Sequence, residues 1–183
     1  MDCGRKAAKL EIHEEMKSLA EQLDSYGSYH QDRRNKLTHF VGVPLVTFSL
    51  FVLFGWFRFV HMPDLSFSLA TIFFVVVLIY YLRLDWRVAL VQLPFTLLLL
   101  LLADWAARLP FGQSLTVFVV TFVLGWIIQL VGHAIEGRRP ALADNLLQVF
   151  NAPLFLTVEA LNRLGLRRDL LETETPAPTQ SPT

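Results

Sequence analysis

Four apolar runs lie between two polar ends: Phe40 to Phe57, Leu65 to Leu82, Val88 to Ala103 and Ser114 to Val131. None carries the polar stripe of a helix from a soluble bundle. Each reads as a membrane span near the lower limit for crossing ~30 Å of hydrocarbon at about 1.5 Å per residue. Trp86 and Trp105 flank the third run as interfacial anchors, and Pro94 predicts a kink inside it. Upstream, Arg5 to Asp24 sets Leu10, Ile12, Met16, Leu19, Ala20 and Leu23 among Lys and Glu, the spacing of an amphipathic helix. Downstream, Leu142 to Arg163 predicts a further helix interrupted at Asn151-Ala152-Pro153. Asp144, Asn145 and Glu159 make it polar enough to lie in the interface or re-enter rather than span. Gly165 is suited to cap its end, and the Thr- and Pro-rich stretch Glu172 to Thr183 reads as a disordered tail. The expected fold is an all-α membrane protein. It has four transmembrane helices, an N-terminal amphipathic helix and a C-terminal interfacial or re-entrant helix. Residues 1–38 form the N-terminal region, 39–165 the transmembrane domain and 166–183 the tail.

Composition supports that reading. The chain of 183 residues is 54% hydrophobic and 17% charged, against roughly 25% charged in soluble domains. Net charge is zero, which gives no argument for nucleic acid as a partner. Cys3 stands alone, so no internal disulfide or thiolate cluster is available. Met1 to Lys17 is charged and lacks the apolar core of a secretory signal, which leaves targeting to the first transmembrane helix. Lys and Arg set the orientation. With four spans, the two ends and the second loop share one face, which collects fourteen basic residues. Only Arg58 and Arg108 fall on the other. The termini are therefore expected in the cytoplasm, at a bacterial inner membrane or an endoplasmic reticulum. His30, His39 and His133 then lie at the cytoplasmic rim, and His61 lies a bilayer away.

The candidate chemistry sits at that rim. Imidazole is the commonest metal ligand, and a few histidines with a carboxylate suit iron, zinc or similar ions. His133 and Glu136 share a helix face, and Gln129 joins it four residues earlier. Gly132 leaves room for a close approach. Tyr26 pairs with His30, and Asn35 with His39, by the same rule. On one straight helix His30 and His39 would stand roughly 13 Å apart, about half a turn out of phase. One ion takes both only if the chain bends between them. Asn35 or Thr38 can cap a new helix there, and Gly42 with Pro44 is compatible with a loop. The plainer alternatives are that the histidines anchor the interface, that Asn35 is only a cap and that Glu136 only pairs with Arg138 or Arg139. Arg33, Arg34 and Lys36 would then meet anionic headgroups. His13, between charged neighbours, reads as a solvated helix position. No phosphate-cradling glycine loop, GxSxG or HExxH is present.

Tyr26-x-x-x-His30, Asn35-x-x-x-His39, Gly42-Val43-Pro44 and the run Gln-Leu-Val-Gly-His-Ala-Ile-Glu-Gly-Arg-Arg-Pro-Ala-Leu from Gln129 resemble the signatures of the 2-hydroxy fatty acid dioxygenases. Those are small multi-pass membrane proteins of fatty acid alpha-oxidation in phytosphingosine breakdown. Asp144-Asn145, Ala152-Pro153 and Glu159 are similar too, so the resemblance runs from about Tyr26 to Glu159. It implies an Fe(2+)-dependent enzyme that cleaves the C1–C2 bond of a 2-hydroxy fatty acid with O2, giving an acid one carbon shorter. It implies His30, His39 and His133 as ligands, with Glu136 a fourth ligand or a carboxylate orienting an imidazole. Asn35 and Gln129 stand behind them. Substrate carboxylate and 2-hydroxyl would chelate the iron, with Lys or Arg near the carboxylate and the acyl chain among the membrane helices. Two other classes compete: a zinc-dependent membrane lipid hydrolase, and a non-catalytic lipid-binding protein.

Overall fold

The structure, a computed structural model, describes residues 19–61, 66–138 and 148–166. The described chain runs α1 (Leu19–Gly27), α2 (Arg33–Gly55), β1 (Arg58–His61), β2 (Ser66–Ser68), α3 (Leu69–Leu84), α4 (Trp86–Ala107), α5 (Phe111–Glu136) and α6 (Gln148–Arg163). Helices α2, α4 and α5 hold 23, 22 and 26 residues, about 33–39 Å of rise. They are long and apolar enough to cross a membrane. α3 is the shorter apolar helix, with 16 residues, or about 24 Å. It is shorter than its apolar run suggests because Ser66–Ser68 leaves the run to pair antiparallel with β1.

Polar residues at the helix ends set these boundaries. The Asp32 carboxylate accepts the Arg34 N–H and caps α2. Ser68 accepts the Thr71 N–H and caps α3. Asp85 ends α3 and starts α4, accepting the N–H groups of Arg87 and Val88. Gly137 ends α5 at φ 71°, a left-handed position that suits glycine, and its N–H donates to the His133 carbonyl. Gly165 closes α6 in the same conformation at φ 76°, as expected of it. Pro44, Pro94 and Pro153 all lie inside helices. The predicted interruption at Asn151-Ala152-Pro153 is therefore absent, and α6 continues through it. The N-terminal amphipathic segment is described only from Leu19, and His13 lies outside the described residues.

α2 is the central element and packs along α5 more extensively than any other pair of elements. Glycine makes that possible. A Cβ on Gly42 would stand 2.5 Å from the Gln129 side chain and 2.9 Å from the Gly125 carbonyl. A Cβ on Gly125 would stand 2.8 Å from Val46. One on Gly132 would overlap Thr38 and Asn35. Small residues let membrane helices approach this closely because lipid supplies no hydrophobic drive to pack them. Gly42 and Pro44 thus serve the helix interior, not the loop that the sequence allowed.

Two apolar cores flank the seam. One, near the chain's two ends, joins Leu23 and Tyr26 of α1 to Val43, Tyr81, Val88 and the Leu154–Val158 stretch of α6. The other gathers Phe51, Val52, Ala70, Leu100, Ala103 and Ala106 at the opposite end. There Asp104 accepts Arg58 at 2.9 Å and Arg108 at 2.8 Å. The outward faces carry exposed Val76, Leu101, Val120 and Ile127. So continuous an apolar surface is the mark of a lipid-facing bundle, and the protein is a membrane protein.

Candidate metal centre

Three imidazoles meet where α1, α2 and α5 converge. α1 ends at Gly27, and the turn through Ser28 and Tyr29 delivers His30 to the start of α2. This is the bend that a shared site requires. Its cap is Asp32, not Asn35 or Thr38, which both lie inside α2. His39 follows one turn after Asn35, and His133 comes from the last turn of α5, facing α2 across Gly132. One nitrogen from each of His30, His39 and His133 lies within 4.8 Å of the other two. Ring centroids are 4.5 Å apart for His30 and His39, 4.9 Å for His30 and His133, and 5.0 Å for His39 and His133. All three rings are buried.

Hydrogen bonds fix which nitrogens face inward. His30 Nδ1 lies 2.8 Å from the Tyr26 carbonyl, and His39 Nδ1 lies 3.0 Å from the Asn35 carbonyl. A carbonyl only accepts, so each Nδ1 carries the proton. In a neutral ring the Nε2 lone pair is then free. The two Nε2 atoms stand 3.2 Å apart, lone pair to lone pair, with no proton to share. Two nitrogens at about 2.1 Å from one ion, subtending 90° to 109°, lie about 3.0–3.4 Å apart. The pair thus has the spacing of adjacent ligands on a single cation. His133 Nδ1 is buried and has no hydrogen-bond partner among the described residues. Burial pushes the His30 imidazole down to about 4, so this ring is neutral at pH 7; the Tyr26 carbonyl acts in the opposite sense. Neutral, oriented, buried imidazoles fit a divalent metal ion, and the three histidines can hold one.

Glu136 stands beside this cluster, not in it. Its Oε1 accepts the N–H of Gln31 at 2.5 Å and of Asp32 at 3.2 Å, and its Oε2 accepts the Asn35 side-chain amide. It lies three residues after His133 on α5, and its hydrogen bonds run to the chain that carries His30. It touches neither an imidazole nor Arg138, whose guanidinium donates to the Ser28 carbonyl instead. Arg139 lies outside the described residues. Asn35 is wholly buried, with Oδ1 against Gly132. Its carbonyl orients His39 while its amide holds Glu136, so it ties two parts of the site together. Gln129 does not reach the imidazoles' hydrogen-bond shell; it packs on Gly42 and lines an apolar cavity. His61 belongs to β1, which follows α2 in the chain.

The expected pairing of Tyr26 with His30 is a stacked contact, and two further features escaped the sequence reading. Tyr26 lies flat on His30, with centroids 4.2 Å apart and planes 11° from parallel. Burial raises its phenol well above the usual range, which keeps it protonated. Phe155 of α6 covers the same imidazole, 5.9 Å away. A cavity of about 450 Å³ opens between α2, α3, α4 and α6, lined by Phe40, Val43, Phe73, Val77, Leu156 and others. A run of apolar residues on several helices does not show in one dimension that they leave space between them.

Fold and cluster together define a helical membrane protein built around three buried histidines able to hold a metal. The family described as "2-hydroxy-palmitic acid dioxygenase Mpo1-like" matches residues 16–164, and the chain belongs to that family. Among individual proteins, the chain is similar to the 2-hydroxy-palmitic acid dioxygenase MPO1 of Saccharomyces cerevisiae, 49% identical over 59 residues. That stretch covers 31% of this chain and 32% of the yeast protein. No solved structure matches the chain.

Proposed function

We propose that the protein is an iron(II)-dependent dioxygenase that shortens 2-hydroxy fatty acids by one carbon, cleaving the C1–C2 bond with O2. The observation that carries this reading is the inward-facing Nε2 pair of His30 and His39 at 3.2 Å, with His133 completing the set. Family membership and the relative's printed name supply the substrate class. His30, His39 and His133 would hold the ion. A bound iron(II) supplies open positions for O2 and for the oxygens of a 2-hydroxy acid, together with one-electron chemistry.

The rest is done by the chain's own groups. The carbonyls of Tyr26 and Asn35 keep two imidazoles in the ligating tautomer. Glu136 acts as a positioning residue, holding the His30 turn against α5 through the N–H groups of Gln31 and Asp32. Tyr26 and Phe155 shut water away from His30. The apolar cavity has the size of a lipid-tail site. It lies directly along α2 and α5 from the histidines, since Val43 and Gln129 line it one turn beyond His39 and His133. On this reading α3 is a fourth crossing, both termini face the cytoplasm, and substrate reaches the site from the bilayer.

The test is detergent-purified protein, reconstituted anaerobically with iron(II) and exposed to 2-hydroxypalmitate. O2 uptake matched by pentadecanoate is expected, and it should vanish in His39→Ala and His133→Ala. Purification with zinc, and no oxygen dependence of any lipid turnover, would overturn it.

A further inference from the structure

A second, charged cleft adjoins the histidines. Gln31, Arg33, Lys36, Glu159 and Arg163 line a cavity of about 400 Å³. Gln31 follows His30 directly, and Lys36 sits one turn before His39 on α2. The Lys36 ammonium lies 5.7 Å from the Phe155 ring, the same ring that covers His30. Three cations face one carboxylate. Glu159, itself only 8% exposed, accepts Lys36 at 3.1 Å and Arg163 at 3.1 and 3.2 Å. Those bonds hold the two cations in place and use only part of their donor capacity, since an ammonium has three N–H groups and a guanidinium five. Arg33 makes no ion pair among the described residues. Among the described residues the cleft thus carries two positive charges in excess, with two of its three cations held in place.

This cleft shares a wall with the apolar cavity. Phe40 lines that cavity and carries the Arg163 guanidinium on its ring at 5.5 Å. α6 presents Glu159 and Arg163 to the charged side, and Thr157, Ala160 and Leu161 to the apolar side. A ligand that satisfies both must have an anionic head and an apolar tail. We propose that Arg33, Lys36 and Arg163 form the carboxylate-recognition site, selecting free fatty acids over their neutral esters and delivering the acid head to the histidine cluster. The proposal rests on the fatty acid reading above. It adds the residues that set head-group selectivity, and Glu159 as the residue that positions two of them.

The test is equilibrium binding to the iron-loaded protein of four probes: 2-hydroxypalmitate, palmitate and the methyl ester of each. Wild type should bind both acids about tenfold more tightly than their esters, the worth of one charge-assisted bond. Lys36→Met, and separately the exposed Arg33→Gln, should reduce that preference severalfold and leave ester affinity and iron content unchanged. Equal binding of acid and ester by wild type would overturn the proposal. So would variants that weaken acid and ester alike, or phosphatidylglycerol in vesicles displacing palmitate while the acid–ester preference is absent, which would assign the cleft to lipid headgroups. Palmitate separates this outcome from failure of the oxygenase reading. A cleft that selects carboxylates does so with or without a 2-hydroxyl, whereas loss of the oxygenase reading shows only as absent O2 uptake.

Discussion

The site is set by a small number of atoms whose alternatives are costly. His30 and His39 each give their Nδ1 proton to a carbonyl four residues back, and that single choice turns both lone pairs toward one point. Removing the His133 imidazole should abolish tight metal binding while leaving the bundle folded, read as metal per protein by mass spectrometry. Glu136→Gln keeps the side chain's size but replaces one acceptor oxygen by a donor facing N–H groups. It should weaken metal binding about 10- to 100-fold, as loss of an orienting partner does, and unchanged affinity would remove Glu136 from the account. Gly132→Ala should cost about 1–3 kcal/mol, because the new methyl must displace Thr38 and Asn35. Chemical unfolding in mixed micelles measures it. Protonation gives a separate check. The His30 imidazole falls from its ordinary 6.5 to about 4 on burial. Between those values the unfolded chain takes up a proton that the folded chain refuses. Stability of the metal-free protein should therefore drop as pH falls from about 6.5 to about 4, and the His30 contribution should be flat above that window. An unfolding midpoint constant between pH 7 and 4.5 would contradict it.

At the scale of elements, the junction between α1 and α2 decides whether there is a site at all. α1 ends at Gly27, and Asp32 caps the start of α2. Asp32→Ala should cost about 0.5–2 kcal/mol as a lost cap, with a larger proportional loss of metal affinity, because His30 hangs on the same turn. Much of this was legible in the sequence. The apolar runs located the helices, and the two polar thresholds located the imidazoles. The requirement for a bend between His30 and His39 followed from helical geometry alone. The bend's cap did not, since Asp32, Asn35 and Thr38 are all competent caps and only the tertiary demand for Asn35 and Thr38 against Gly132 picks between them. Glu136 reads as a fourth ligand or a carboxylate orienting an imidazole, and its hydrogen bonds to Gln31, Asp32 and Asn35 were not foreseen. Periodicity reports the direction of a side chain, while the amides of Gln31 and Asp32 that donate to it come from a segment more than a hundred residues away. The strand pair that shortens α3 was missed because Ser66-Phe67-Ser68 reads as part of the longer apolar run that follows it.

For the whole molecule, the glycine seam is the device that brings α2 and α5 together. α2 and α5 touch through Gly42, Gly125 and Gly132, and the contact that packs the bundle also aligns His39 with His133. Packing and metal binding should therefore be coupled. Gly125→Val, at the seam but away from the imidazoles, should lower both the thermal midpoint and the metal affinity. The orientation has its own check, in a Cys3→Ser background. Gly112→Cys, in open space at the start of α5, should react with an impermeant maleimide applied to intact cells. Arg83→Cys, exposed at the end of α3, should react only in inside-out vesicles. Labelling of both from one side would mean that α4 does not cross, and the reverse pattern of labelling would contradict the orientation.

The central claim is that three imidazoles from two distant stretches of chain share one metal ion. X-ray absorption fine structure on the iron(II)-loaded protein addresses it directly, through the multiple-scattering signature that imidazole rings give. The account predicts three imidazole nitrogens per iron in the wild type and two in any metal that His133→Ala retains. A first sphere of oxygen donors with one imidazole or none would contradict it.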